Sequence, residues 1–114
     1  MSNIFKILDA DTYRRAQQDG IFHGAEIDLK DGYIHFSTAV QVQETAAKHF
    51  AGREALMLLA LDPNTLGDNL KWEPSRGGQL FPHLYAKLDM GHVIWARPLP
   101  WNGTSHTFPP ETFE

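Results

Sequence analysis

The chain has 114 residues, 42% of them apolar and 21% charged, enough for one domain with its own core and ordinary for a globular protein. Ten Lys and Arg against fourteen Asp and Glu give a formal charge of −4 with no basic stripe, which argues against duplex nucleic acid, a ligand gripped through its phosphates, and for a small molecule. With no cysteine, no apolar run near the roughly 18 residues of a membrane span and no basic-then-apolar leader, disulfides, thiolate chemistry and a membrane partner are set aside, and a cytoplasmic protein is expected.

Taken in order, residues 4–8 form a short apolar run that predicts a first strand, closed by Asp9-Ala10-Asp11. A helix is expected over 12–19, where Tyr13, Ala16 and Gln17 fall at helical spacing and Gly20 stands ready for a left-handed terminus. Residues 21–30 show no steady period and read as a loop with room for a short extended piece. His23 lies there without an identifiable partner.

The stretch Asp31-Gly32-Tyr33-Ile34-His35-Phe36-Ser37-Thr38 packs a turn, a strand and a helix start into eight residues. Alternation puts Tyr33 and His35 on one face and Ile34 and Phe36 on the other. Ser37 and Thr38 stop the strand, and Thr38-Ala39-Val40-Gln41 has the spacing of a capping box. A helix start offers free N–H groups to anions, so His35 would stand beside a cradle for phosphate or carboxylate. Val40, Ala46, Ala47 and Phe50 supply that helix with an apolar stripe, and Ala51-Gly52 ends it.

Residues 55–61 are continuously apolar and stop at Asp62-Pro63-Asn64, which predicts a central strand buried on both faces. Residues 69–73 alternate, Leu70 and Trp72 opposite Lys71 and Glu73, until Pro74. After a turn at 75–78, residues 79–85 carry Pro82, which predicts an edge strand or an irregular extended piece with His83 and Tyr85 on one face. A last strand is expected over 92–97. Residues 98–114 hold four of the seven prolines together with Trp101, Phe108 and Phe113, too aromatic for a solvated linker. This extended tail is expected to lie on the 1–97 domain or on a second subunit of a homodimer.

The six histidines fall into neither a His-x-His nor a His-x-x-x-His pair, so no metal site is expected. Ser37 stands at a strand-to-helix junction but lacks the glycines of a hydrolase elbow, and no dinucleotide fingerprint or phosphate-binding loop occurs. A polar set is left: His35, Ser37, Thr38, Glu73, Arg76, His83 and Tyr85. Each has an ordinary structural role open to it: a cap for Thr38, a solvated strand position for Glu73, a loop charge for Arg76, a core aromatic for Tyr85. Their convergence at strand ends would make a small-ligand site.

The three motifs in their order, 31–38 with Gln41, Leu70-Lys71-Trp72-Glu73 and Phe81-Pro82-His83-Leu84-Tyr85, resemble the family catalogued as domain of unknown function 952, over residues 4–97. That family in turn resembles the ADP-ribosyltransferase-type fold, which includes the RNA 2′-phosphotransferases. The resemblance implies a single compact α+β domain of two small, mostly antiparallel sheets with two helices, the ADP-ribosylation-type fold. It implies NAD or a related nucleotide as ligand, and His35-Phe36-Ser37 looks like the His-x-Ser element of the phosphotransferase pocket. Lys6-Ile7-Leu8 stands where many such enzymes carry His-Gly-Thr, and no residue matches their catalytic glutamate.

On this resemblance Ser37, Thr38 and Arg76 are the expected phosphate or ribose contacts and Tyr85 the stacking ring. His35 orients the ribose, and Glu73 or His83 serves as base or stabilises a cationic ribosyl centre, in an ADP-ribosyl or phosphate-linked transfer. The alternative is a non-catalytic module for a small ligand or a protein partner. Whether His35, Glu73, His83 and Tyr85 share one cleft discriminates the two.

Overall fold

The computed structural model describes residues 2–114, the side chain of Arg76 excepted. Strand β1 (Ile4–Asp9) leads into helix α1 (Ala10–Asp19), followed by β2 (Ile21–Phe22) and α2 (Glu26–Asp31). Then come β3 (Ile34–His35), β4 (Ser37–Thr38), α3 (Ala39–His49) and β5 (Leu56–Leu61). A 3₁₀ turn at Pro63–Asn69 joins β5 to β6 (Leu70–Pro74), and β7 (Leu80–Leu84), β8 (Leu88–Asp89) and β9 (Val93–Pro98) complete the strands. All pairings are antiparallel, in a four-stranded sheet ordered β4-β1-β5-β9, a three-stranded sheet ordered β3-β7-β6 and the small pair β2-β8. The result is a compact α+β domain, with three sheets and three α-helices among the described residues where two of each were expected.

The continuous apolar run became β5, paired with β1 on one side and β9 on the other. Its successive side chains feed two cores. Leu59 and Leu61 join Ile4, Leu8, Ile34, Phe36 and Leu84 on one face; Leu56, Leu58 and Ala60 join Phe5, Ile7, Val42 and Leu99 on the other. Burial on both faces explains why this strand is apolar at every position rather than at alternate ones.

The sequence-based expectation fails at four places, each for a physical reason. Residues 21–30 hold the short extended piece, as β2, but also most of α2, a helix of 6 residues that was not expected because it is too short to display a period. Val40, 90% exposed, and Ala47 do not belong to the buried stripe of α3; Val42 takes their place with Ala46, because two residues along a helix is more than half a turn, and the face that buries Val42 leaves Val40 in solvent. Ser37 and Thr38 do not merely end β3 but pair with Phe5 and Ile4 as the edge of the larger sheet.

The fourth is β7, which lies in the centre of its sheet despite Pro82. The Pro82 carbonyl accepts from Phe36 N at 3.0 Å on the β3 side. In an extended residue N and C=O point the same way, so the missing N–H faces Phe36, just past the end of β3; no ladder bond to β6 is lost, and the two-residue pairing of β3 with β7 is complete without it.

Residues 98–114 fold back on the same domain. Leu99 is fully buried and donates its N–H to Leu56 O, Phe108 packs on the second core, and Arg97 pairs with Glu111 at 3.1 Å. His106 Nε2 lies 2.9 Å from Arg53 O. Among the described residues no helix is long and apolar enough to cross a membrane.

Candidate functional site

The chain crosses from one sheet to the other between His35 and Ser37, with only Phe36 between β3 and β4. Register then fixes what gathers on the solvent side of the small sheet. His35 pairs with His83, and His83 pairs with Lys71 on β6; Tyr33, Tyr85 and Glu73 lie two residues along and so on the same face. The opposite face carries Ile34, Phe36 and Leu84 into the first core. Tyr33 stacks on His83 at 4.1 Å between centroids, with His35 at 4.6 Å and Tyr85 at 5.1 Å.

Behind His35 lies a carboxylate outside the expected polar set. Asp28, on α2 and 2% exposed, accepts from Lys6 Nζ at 2.9–3.0 Å, from Ala25 N at 2.8 Å and from His35 N at 3.0 Å. His35 Nδ1 stands 2.6 Å from the same group, and His35 Nε2 is 2.9 Å from Asp31 Oδ2. Gly24 makes room for this arrangement: a Cβ there would meet the Asp28 Cβ at 3.0 Å, and its φ of +120° disfavours a side chain. Gly32, at φ +88°, ends α2 and turns the chain into Tyr33.

The electrostatics of the pair are unequal. Burial by itself would raise the Asp28 carboxyl, but the hydrogen bond from His35, the Lys6 charge and two backbone N–H groups bring it down to about 2. Lys6 is lowered, because its burial outweighs what its one carboxylate partner returns. Asp28 has several donors and Lys6 one acceptor, which accounts for the difference.

On the outer side, His83, 3% exposed, holds Glu73 Oε1 through Nδ1 at 2.8 Å, and Tyr85 donates to the same oxygen at 2.7 Å. These two bonds, His83 first, lower Glu73. The Tyr85 hydroxyl is pushed up to about 12, chiefly because ionising it would cost the bond to Glu73.

His35, Ser37 and His83 line one cleft of about 910 Å³ together with Lys6, Lys30 and Arg53. Glu73 and Tyr85 stand outside its lining and reach it through His83. The Ser37 hydroxyl is bonded to Thr45 Oγ1 at 2.8 Å. Thr38 is spent on the cap, its hydroxyl accepting from Gln41 N and its N–H donating to Gln41 Oε1, and it does not line the cleft. The Arg76 side chain lies outside the described residues. Among the described residues no three His, Asp or Glu side chains are grouped to hold a metal ion. The strand alternation of residues 33–36 foretold the face that His35 shares with Tyr33; Lys6 and Asp28, 22 residues apart, left no local signal, although one cation inside an apolar strand was the clue available.

The family model described as "Protein of unknown function (DUF952)" matches residues 7–96, and the chain belongs to that family. It is similar to the crystal structure of protein CC0527 from Caulobacter crescentus, with TM-score 0.90 and 43% identity over 93% of this chain and 94% of that one. The solution NMR structure of the same protein gives 0.84 and 44% over 93% and 91%. None of the curated proteins compared with the chain matches it.

Proposed function

We propose that this DUF952 chain binds NAD or a related nucleotide in the cleft between its two larger sheets, and that the site has the residues for an ADP-ribosyl or phosphate-linked transfer. The observation that carries this reading is that His35, Ser37 and His83, from three strands of two sheets, line the same cleft. Lys30 and Arg53 add positive charge along it, suited to phosphate, Arg53 being ion-paired with Asp9. With Thr38 committed to the cap, the phosphate contact falls to these cations and to the edge of Ser37. Two small sheets flanking one cleft also agree with the ADP-ribosylation-type resemblance.

The test is a ligand-observed NMR titration with NAD, ADP-ribose and nicotinamide on wild type and His35→Ala. Saturable binding of NAD by wild type, lost in a folded His35→Ala variant, is the expected result. Equal binding by both proteins, or none by wild type, overturns it. The non-catalytic alternative draws on two observations: Glu73 and Tyr85 stand outside the lining of the cleft, and both ring nitrogens of His35 and the Ser37 hydroxyl are satisfied inside the protein, as in a rigid recognition surface. Saturable binding with no consumption of NAD during prolonged incubation would favour it.

A further inference from the structure

The two histidines of the cleft differ in what they leave free. His35 has Nδ1 on Asp28 and Nε2 on Asp31. Carboxylate oxygens only accept, so both contacts are complete only when both nitrogens carry hydrogen, and the ring then has no lone pair for a substrate proton. His83 is arranged otherwise. Its Nδ1 is taken by Glu73, its ring face is covered by Tyr33, and the His35 ring meets it edge-on at 5.5 Å. Lys71 is its register partner on β6, and Tyr85 secures Glu73 from the far side.

We infer that His83 is the proton-accepting residue of the cleft, with Glu73 as its positioning residue, and that His35 is a fixed donor and not a base. This rests on the cleft being the ligand site and deepens that reading by naming the ligand chemistry: a ligand or a water whose O–H must lose its proton. In that step the O–H proton passes to His83 Nε2 and the electron pair stays on oxygen. The Nδ1–H bond to Glu73 persists, and the positive charge gained by the ring is shared with that carboxylate. Tyr33 keeps the ring from rotating, as a base with one useful nitrogen requires.

The experiment is the histidine side-chain nitrogen NMR spectrum of the ligand-free full chain at neutral pH, which needs no substrate and is independent of the NAD titration. The expected spectrum shows His83 with a protonated Nδ1 and a bare, pyridine-type Nε2, and His35 with both nitrogens protonated. Glu73→Gln should shift His83 toward the opposite tautomer or a mixture, while Tyr85→Phe, which leaves the carboxylate in place, should retain the wild-type pattern. A wild-type His83 bearing its hydrogen on Nε2, a His35 with a bare nitrogen, or a Glu73→Gln spectrum unchanged from wild type overturns the assignment. Failure of NAD to bind while the spectrum is as expected would refute the nucleotide reading and leave the base assignment standing.

Discussion

At the scale of single residues, Asp28 decides more than any other polar side chain. Its carboxyl is held at about 2, below the ordinary 3.8, so the folded state binds the proton less readily than the unfolded chain. The stabilisation is therefore complete above about pH 4 and lost as pH falls toward 2, and it amounts to about 2 kcal/mol. Urea denaturation followed by circular dichroism from pH 6 to pH 2 should show this loss, and Asp28→Asn should flatten it. The same substitution leaves the Lys6 ammonium buried without its counter-charge and should cost about 3–5 kcal/mol at neutral pH. Adding Lys6→Met to Asp28→Asn should recover part of that cost. A double variant no more stable than Asp28→Asn would show that stranded charge is not the cause.

At the scale of elements, α3 separates what its sequence made plain from what it hid. The capping box of Thr38 and Gln41 was legible because its partners are three residues apart, and the structure has both of its bonds. Thr38→Ala should cost about 1 kcal/mol in chemical denaturation. Val40→Lys, at a 90% exposed position, should change stability by less than about 0.5 kcal/mol, although Val40 carries the apolar character of a core residue. Helix α2 was hidden for the opposite reason. Its Asp28 is fixed by Lys6 from β1 and by His35 from β3, so the evidence for it is tertiary and absent from any short window of sequence. Pro82 misled in a third way: its missing N–H points to the side on which β3 has already ended at His35, and sequence does not tell which side that is.

For the whole molecule, the β5 run identified the centre of the fold, since only a strand packed on both faces needs apolar side chains at every position. The candidate site was legible in part: residues 31–38 marked where it lies, while the Lys6–Asp28 pair behind His35 emerged only from the contact of α2 with β1. The closing segment is integral to the second core through Leu99 and Phe108. Leu99→Ala should cost about 2–5 kcal/mol, and Phe108→Ala a similar amount, read as lowered midpoints in thermal unfolding. If both changes leave the midpoint within about 2 °C of wild type, the segment is not part of the cooperative unit.

The passage from β3 to β4 through the single residue Phe36 carries one more consequence. A strand alternates its side chains with strict period two, so one residue added between His35 and Ser37 would turn either the imidazole or the serine to the opposite face. The length of this crossing is therefore fixed as tightly as its chemistry. It tolerates exchange of one side chain for another of similar bulk but no change in the count of residues.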